Sequence, residues 1–261
     1  MKRNVAQIAA MKGKEKIVML TAYDALFARL FADAADILLV GDSLAMSFAG
    51  AADTLGASLD QMIYHTKAVC NGAPESLVVL DMPFGSFATP EIALAAALRV
   101  YQETAAAAVK IEGGAEKAEV VRTLTTNGIA VAGHIGLLPQ FFRAAGGFKV
   151  RGKDEISAER IAEDAAAIEQ AGAFCVVLEG VKASAAARVR DAVKIPVIGI
   201  GAGADCDGQV LVWSDMLGFF EAFKPKFARR YVDGAALARE AAAKFAQDVK
   251  NGTFPNADES Y

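Results

Sequence analysis

The sequence predicts one domain built as a (β/α)8 TIM barrel, with a short helix ahead of the first strand. Three observations predict it. Apolar runs of strand length alternate with segments of helical period about eight times, which argues for a parallel sheet that closes on itself. Most of those runs carry an ionisable residue at the C-terminal end and almost none at the start, and a parallel barrel builds its site at that end. The length, 261 residues with 54% hydrophobic, is close to the roughly 250 of one such barrel, and no Pro/Ser/Gly-rich linker divides it.

The elements follow in order. Residues 4–12 have the spacing of a short amphipathic helix, placed to plug one end of the barrel. Strand one is 17–23 and runs on to Asp24. From Ala25 to Ala35, Leu26, Phe27, Leu30 and Phe31 fall on one helical side. Strand two is 36–41, ending in Asp42-Ser43, and a Gly- and Ala-rich loop, 44–57, follows. Ser58 caps a helix with Leu59, Met62, Ile63, Thr66 and Val69 at helical spacing. Strand three, 77–82, carries Asp81 and is stopped by Pro83. Thr89-Pro90-Glu91 opens the next helix with a capping residue and a first-position proline.

Strand four is Ala108 to Glu112, followed by Gly113-Gly114. Side chains alternate along a strand, so Lys110 and Glu112 share one face. A helix over 115–127 closes at Asn127-Gly128. Strand five is 129–134, ending in His134. A long loop, 135–154, carries glycines, Pro139 and basic residues; its length marks it as a lid over a site. Ser157-Ala158-Glu159-Arg160 opens a helix that ends near Gly172. Strand six is 173–179, ending in Glu179, with a helix over 183–193 and strand seven at 195–200. The eighth strand is placed at Lys226–Tyr231, and a helix from Gly234 to Val249 ends the reading.

Composition narrows the function classes. Lys+Arg 27 against Asp+Glu 31 gives a net charge of −4, which argues against general affinity for nucleic acid or anionic membrane. Cys70, Cys175 and Cys206 show no metal spacing and read as reduced structural thiols. No uncharged apolar run approaches the roughly 18 residues of a membrane helix, and the N-terminus is too charged for a secretory core. The expected location is the cytoplasm.

The chemistry lies in the strand ends. Asp42, Asp81 and Glu112 end neighbouring strands, and three carboxylates in an apolar cup repel one another. Protons, Lys110 or a hard divalent cation would relieve that; an all-oxygen donor set with open positions suits Mg²⁺. Glu179, further round the barrel, is placed to act as a general base. His134 faces the mouth and can donate to a substrate oxygen, whereas His65 lies on a helix and reads as structural. The Gly199–Gly203 stretch lacks the Lys and Ser/Thr of a nucleotide-binding loop and is a weak phosphate signal.

Laid together, these motifs resemble one family. They are Thr21-Ala22-Tyr23-Asp24, Leu39-Val40-Gly41-Asp42-Ser43-Leu44, Tyr64-His65-Thr66, Asp81-Met82-Pro83-Phe84 and Val109-Lys110-Ile111-Glu112-Gly113-Gly114. Further along come Gly133-His134-Ile135-Gly136-Leu137, Gly146-Gly147-Phe148-Lys149-Val150, Leu178-Glu179, Ile195 to Gly203, and Asp207-Gly208-Gln209-Val210-Leu211-Val212. The order and length of these motifs resemble the ketopantoate (3-methyl-2-oxobutanoate) hydroxymethyltransferases of pantothenate biosynthesis. The resemblance implies a barrel enzyme, assembled as a homo-oligomer (a decamer), that uses Mg²⁺ and takes 5,10-methylenetetrahydrofolate as co-substrate. It implies Asp42, Asp81 and Glu112 as metal ligands, Asp42, Ser43, Asp81 and Lys110 as oxo-acid contacts, and Glu179 as proton acceptor. The chain departs from the family pattern at Gly56-Ala57-Ser58, where Pro-Val-Thr is usual. It also has Leu138 for Thr, Arg151 for Gln and Ser214 for His. An isocitrate-lyase-like carbon–carbon lyase is the alternative, but its Lys-Lys-Cys-Gly-His run is missing.

Overall fold

The computed structural model describes residues 3–261. The chain forms two compact units, one ending at Val212 and one beginning at Trp213.

The first unit holds α1 (Val5–Ala9), β1 (Ile17–Thr21), α2 (Ala25–Phe31), β2 (Ile37–Val40), α3 (Leu44–Ser47), α4 (Leu59–Gly72), β3 (Leu77–Asp81), α5 (Pro90–Glu103) and β4 (Ala108–Glu112). It continues with α6 (Ala118–Thr126), β5 (Val131–Gly136), α7 (Phe142–Ala145), α8 (Glu155–Gln170), β6 (Cys175–Glu179), α9 (Ala183–Ala192), β7 (Val197–Ile200) and β8 (Gly208–Leu211). The eight strands are all parallel to their neighbours and close in the order β1 to β8, with β8 paired back to β1. The barrel class read from the sequence is therefore the observed one.

The start signals work as their chemistry requires. Ser58 accepts from the Gln61 amide while Gln61 reaches back to the Ser58 amide, a reciprocal capping box. Thr89 caps α5 ahead of Pro90. The helix expected from Ser157 begins instead at Glu155, because Asp154 takes the cap and accepts from the Ser157 amide. Helix α2 turns Ala28 and Phe31 inward and leaves Leu26 and Leu30 exposed.

Inside the barrel, alternate residues stack in layers, as the two-residue strand period demands. Ile17, Met19, Ile37, Leu39, Leu77, Val79, Ala108, Ala132, Cys175, Val177, Ile198 and Val210 form one buried cluster with Ile8 and Met11. The N-terminal helix thus brings Ile8 into the barrel's apolar interior, in keeping with the expected plug. Continuing the same parity upward, β3 reaches Asp81, β4 reaches Lys110 and Glu112, β5 reaches His134 and β6 reaches Glu179.

The eighth strand corrects the sequence reading. It lies at 208–211, and 226–231 forms no strand. The true strand is four residues long with one exposed polar position, Gln209, so its hydrophobic signal is weak. Asp207 sets it in place. Its carbonyl accepts from the Ile17 amide of β1, and its amide donates to the Val197 carbonyl of β7. Its buried carboxylate accepts from Lys12 Nζ at 2.8 Å, the Val197 amide at 2.9 Å and the Gly13 amide at 3.2 Å. Asp207→Ala leaves those donors unpaired and is expected to cost about 3 kcal/mol, a fall of several degrees in the calorimetric unfolding temperature. An unchanged unfolding temperature would show that Asp207 is not the clasp.

The second unit contains α10 (Trp213–Met216) and α11 (Gly234–Lys250), the latter capped by Asp233 onto the Ala236 amide. Ser214, one of the departures, is buried in α10.

Candidate active site

Five of the buried charged groups sit on adjacent strand ends. Asp81 pairs in register with Lys110 across β3 and β4, and Glu112 pairs with His134 across β4 and β5. Strand β5 runs to Gly136, two residues beyond the expected end, so His134 stands inside the strand and its imidazole in the barrel. Gly136 is in register with Glu179. Its φ is +93°, and a Cβ there would lie 2.5 Å from the Glu179 carbonyl, so only glycine allows the chain to turn this close to the end of β6.

Lys110 is the hub. Its ammonium is 2.5 Å from Asp81 Oδ1, 3.6 Å from Glu112 Oε1 and 3.1 Å from His134 Nδ1. His134 Nδ1 is 3.3 Å from Glu112 Oε1, and its Nε2 is 3.2 Å from Glu179 Oε2. The Asp42 amide donates to Asp81 Oδ2 at 3.2 Å. Except for Glu179, whose side chain is 19% exposed, these groups are buried.

The electrostatics separate the carboxylates. Burial would discharge Lys110, but Asp81, Glu112 and Asp42 outweigh it and hold the ammonium above the usual lysine range. Burial and Lys110 push His134 down, yet Glu112 and Glu179 prevail and raise it to about 9. Burial also works against Glu112, but Lys110 and His134 lower it below the usual range, helped by the Gln140 amide. Asp42 and Asp81 are driven the other way. Burial raises both, reinforced at Asp42 by the charges of Asp81 and Glu112 and opposed at Asp81 by Lys110.

These observations test the fit of a divalent cation. With every group ionised, Asp42, Asp81, Glu112 and Glu179 would exceed Lys110 and His134 by two negative charges, and that excess together with burial pushes Asp42 and Asp81 toward protonation. Asp81 Oδ1 and Glu112 Oε1 are buried without an aligned hydrogen bond; the 2.5 Å contact of Asp81 with Lys110 is a charge contact only. Among the described residues no three His, Cys, Asp or Glu side chains are grouped so as to hold a metal ion; Asp81 and Glu112 lie instead 2.5 and 3.6 Å from the Lys110 ammonium. The donor chemistry, all oxygen, fits Mg²⁺, which takes one or two carboxylates and keeps open positions.

The remaining expected residues lie around this cluster. Ser43 Oγ is 2.8 Å from the hydroxyl of Tyr23, a buried phenol that fixes it beside Asp42. His65 Nδ1 donates to the Tyr23 carbonyl at 2.6 Å and meets Phe48 edge-on, a structural role as expected. Cys70, Cys175 and Cys206 are buried, and none of them is in a disulfide among the described residues. No helix among the described residues is long and apolar enough to cross a membrane.

Sequence reasoning missed Gln140. The long loop is not structureless: Pro139–Phe141 forms a tight turn and α7 follows it. The turn carries Gln140 into the cluster. Its amide N–H donates to Glu112 Oε2 at 3.0 Å, and its Nε2 donates to Asp42 Oδ2 and the Met82 carbonyl, both at 2.9 Å. Pro139 marks a turn in the sequence, but nothing there says which side chain it buries.

Comparison with known proteins covers nearly the whole chain. A family model described as ketopantoate hydroxymethyltransferase matches residues 2–257. A protein of Wolinella succinogenes named 3-methyl-2-oxobutanoate hydroxymethyltransferase is 61% identical over 257 residues, 98% of each chain. One of the same name from Aliarcobacter butzleri is 56% identical over 260 residues, covering 100% of this chain and 97% of the relative. Solved structures share the fold at low identity. A phosphonopyruvate hydrolase in complex with oxalate and Mg²⁺ has a TM-score of 0.59 at 14% identity, over 99% of this chain and 93% of that one. A 2,3-dimethylmalate lyase of the PEP mutase/isocitrate lyase superfamily has a TM-score of 0.59 at 19% identity, over 100% and 92%.

Proposed function

The chain belongs to the ketopantoate hydroxymethyltransferase family, and from that membership we propose that it moves a hydroxymethyl group from 5,10-methylenetetrahydrofolate to 3-methyl-2-oxobutanoate. The product is 2-dehydropantoate, as a step of pantothenate biosynthesis. The observation that carries the reading is the buried cluster of carboxylates at the barrel mouth, with one lysine inside it and one part-exposed carboxylate, Glu179, at its edge.

Asp42, Asp81 and Glu112 would hold Mg²⁺, which when bound supplies a Lewis acid for the keto oxygen of the oxo acid. Ser43 and the Lys110 ammonium bind and orient the oxo acid. Lys110 also faces the charge that develops on the keto oxygen, where a fixed cation in a dry site is worth more than in water. Glu179 takes the proton from C3, and the His134 ring, 3.2 Å away, orients its carboxylate. One water is consumed: it opens the methylene bridge of the folate to release tetrahydrofolate and a one-carbon unit at the aldehyde level, whose carbon the enolate attacks and whose oxygen, once protonated, becomes the hydroxyl of the product. The segment that bears Gln140 shields the enolate from bulk water, leaving room only for the one water that the reaction consumes. A homo-oligomer in the cytoplasm is part of the same reading, and Leu26 and Leu30, exposed on α2, are apolar surface that such an assembly would cover.

The reaction is tested by NMR of the products formed from the oxo acid and methylenetetrahydrofolate. The expected result is 2-dehydropantoate with no release of pyruvate or glyoxylate; release of either would favour the carbon–carbon lyase whose fold the barrel shares.

Lys110→Met tests one role separately. The variant keeps most of the volume and deletes the charge. Because Asp42 and Asp81 are already pushed toward the neutral form, a proton replaces the lost cation and the barrel folds. Removing a preorganised group at a developing oxyanion typically costs about 10²–10³-fold in kcat, so kcat is expected to fall further than oxo-acid affinity. A loss of affinity alone would make Lys110 a carboxylate anchor.

A further inference from the structure

We propose that Gln140 is a positioning residue that couples closure of the segment 138–150 to loading of the carboxylate pocket. The inference rests on the reaction proposed above.

The segment is a flap with both ends fixed at one place. The Leu137 amide donates to the Glu179 carbonyl at 2.8 Å, and the Arg151 amide donates to the Gly180 carbonyl at 2.8 Å. The flap therefore leaves and rejoins the barrel at the end of β6, beside the candidate base. From that base it reaches across to the far strands and is pinned there by Gln140 alone among its buried polar side chains. A glutamine 3% exposed is uncommon and needs partners. Its three donations go to residues on the ends of three different strands: Asp42 after β2, Met82 after β3 and Glu112 on β4. The outer latch is weaker. Arg143 forks onto Asp53 Oδ2 at 3.2 and 2.9 Å, but its side chain is 72% exposed, and such rim pairs contribute little.

Two of the three donations fall on carboxylates expected to bind the cation. The amide fixes Asp42 by Oδ2 and leaves the other oxygen for a ligand, and the backbone N–H fixes Glu112 by Oε2. Gln140 Oε1, buried with no partner, is an acceptor that the flap adds to the pocket when it closes. Closure thus orients the ligands of the cation, and a cation that holds those ligands in place favours closure. Linkage requires the two effects to be equal.

Trypsin reads the flap directly, since it carries Arg143 and Lys149. In the full-length wild type, Mg²⁺ with 3-methyl-2-oxobutanoate is expected to slow cleavage at these sites about tenfold, an ordinary coupling between sites. Gln140→Leu keeps the size and the backbone N–H but loses the side-chain donors. It is expected to be cut about tenfold faster without ligand, to lose the protection, and to bind Mg²⁺ about tenfold more weakly by calorimetry, with an unchanged unfolding temperature. Cleavage of Gln140→Leu at the wild-type rate, or faster cleavage with unaltered Mg²⁺ affinity, overturns the coupling while leaving the reaction standing. A wild type that binds neither Mg²⁺ nor the oxo acid overturns the reaction and the coupling with it.

Discussion

Asp81→Ala is expected to abolish most of the activity, by at least about 10²–10³-fold, the scale on which losing one preorganised group at a reacting charge is felt. Asp81 does three things at once. It is the nearest partner of Lys110, at 2.5 Å. Its other oxygen accepts from the Asp42 amide and so fixes the turn after β2. It is also one of the two carboxylates that burial pushes toward the neutral form. The alanine variant takes away a ligand and lets Lys110 swing to Glu112, so the remaining acids are held away from a cation. Raising Mg²⁺ should restore part of the activity, because the defect is one of affinity. The check is a Mg²⁺ titration of the initial rate in both proteins. If the half-saturating Mg²⁺ concentration is the same, Asp81 has no part in holding the metal.

The second large effect is expected at Glu179. Glu179→Gln preserves the shape and stays within 3.2 Å reach of His134 Nε2, but it cannot take a proton. A positioned general base is worth about 10²–10⁴-fold, and kcat should fall by that factor. Binding of Mg²⁺ and the oxo acid should survive, because Asp42, Asp81, Glu112 and Lys110 are untouched. His134 is near enough to serve as a substitute, but Glu112 and Glu179 raise its pKa, which favours donation over acceptance, so the Glu179 variant also reads whether His134 takes over.

How far the sequence carries can be judged from particular residues. The carboxylates at 42, 81, 112 and 179 are legible because each ends an apolar run, and in a parallel barrel every such end points to one mouth. Ser58 and Thr89 are legible because capping is a local chemistry of three or four residues. β8 is not, because a four-residue strand with an exposed glutamine has no hydrophobic signature; long-range bonds from Asp207 to β1 and β7 hold it. The division of labour among the acids is hidden for a related reason. Glu112 is held charged and Asp42 is pushed toward its neutral form because register places His134 beside Glu112 and Lys110 beside Asp81, and register is not written in any one strand. Gln140 is invisible in the sequence because its partners lie 28, 58 and 98 residues away.

The central claim is that this cluster makes the enolate of 3-methyl-2-oxobutanoate before the folate takes part. It is tested most directly by incubating the wild type and Glu179→Gln with the oxo acid in D2O, without folate, and following the C3 proton signal by NMR. With Mg²⁺ the wild type is expected to exchange that proton, a chelator is expected to stop it, and the variant is expected to exchange about 10²–10⁴-fold more slowly while binding normally. Exchange at the wild-type rate in the variant, or exchange that persists when the metal is removed, would contradict the account.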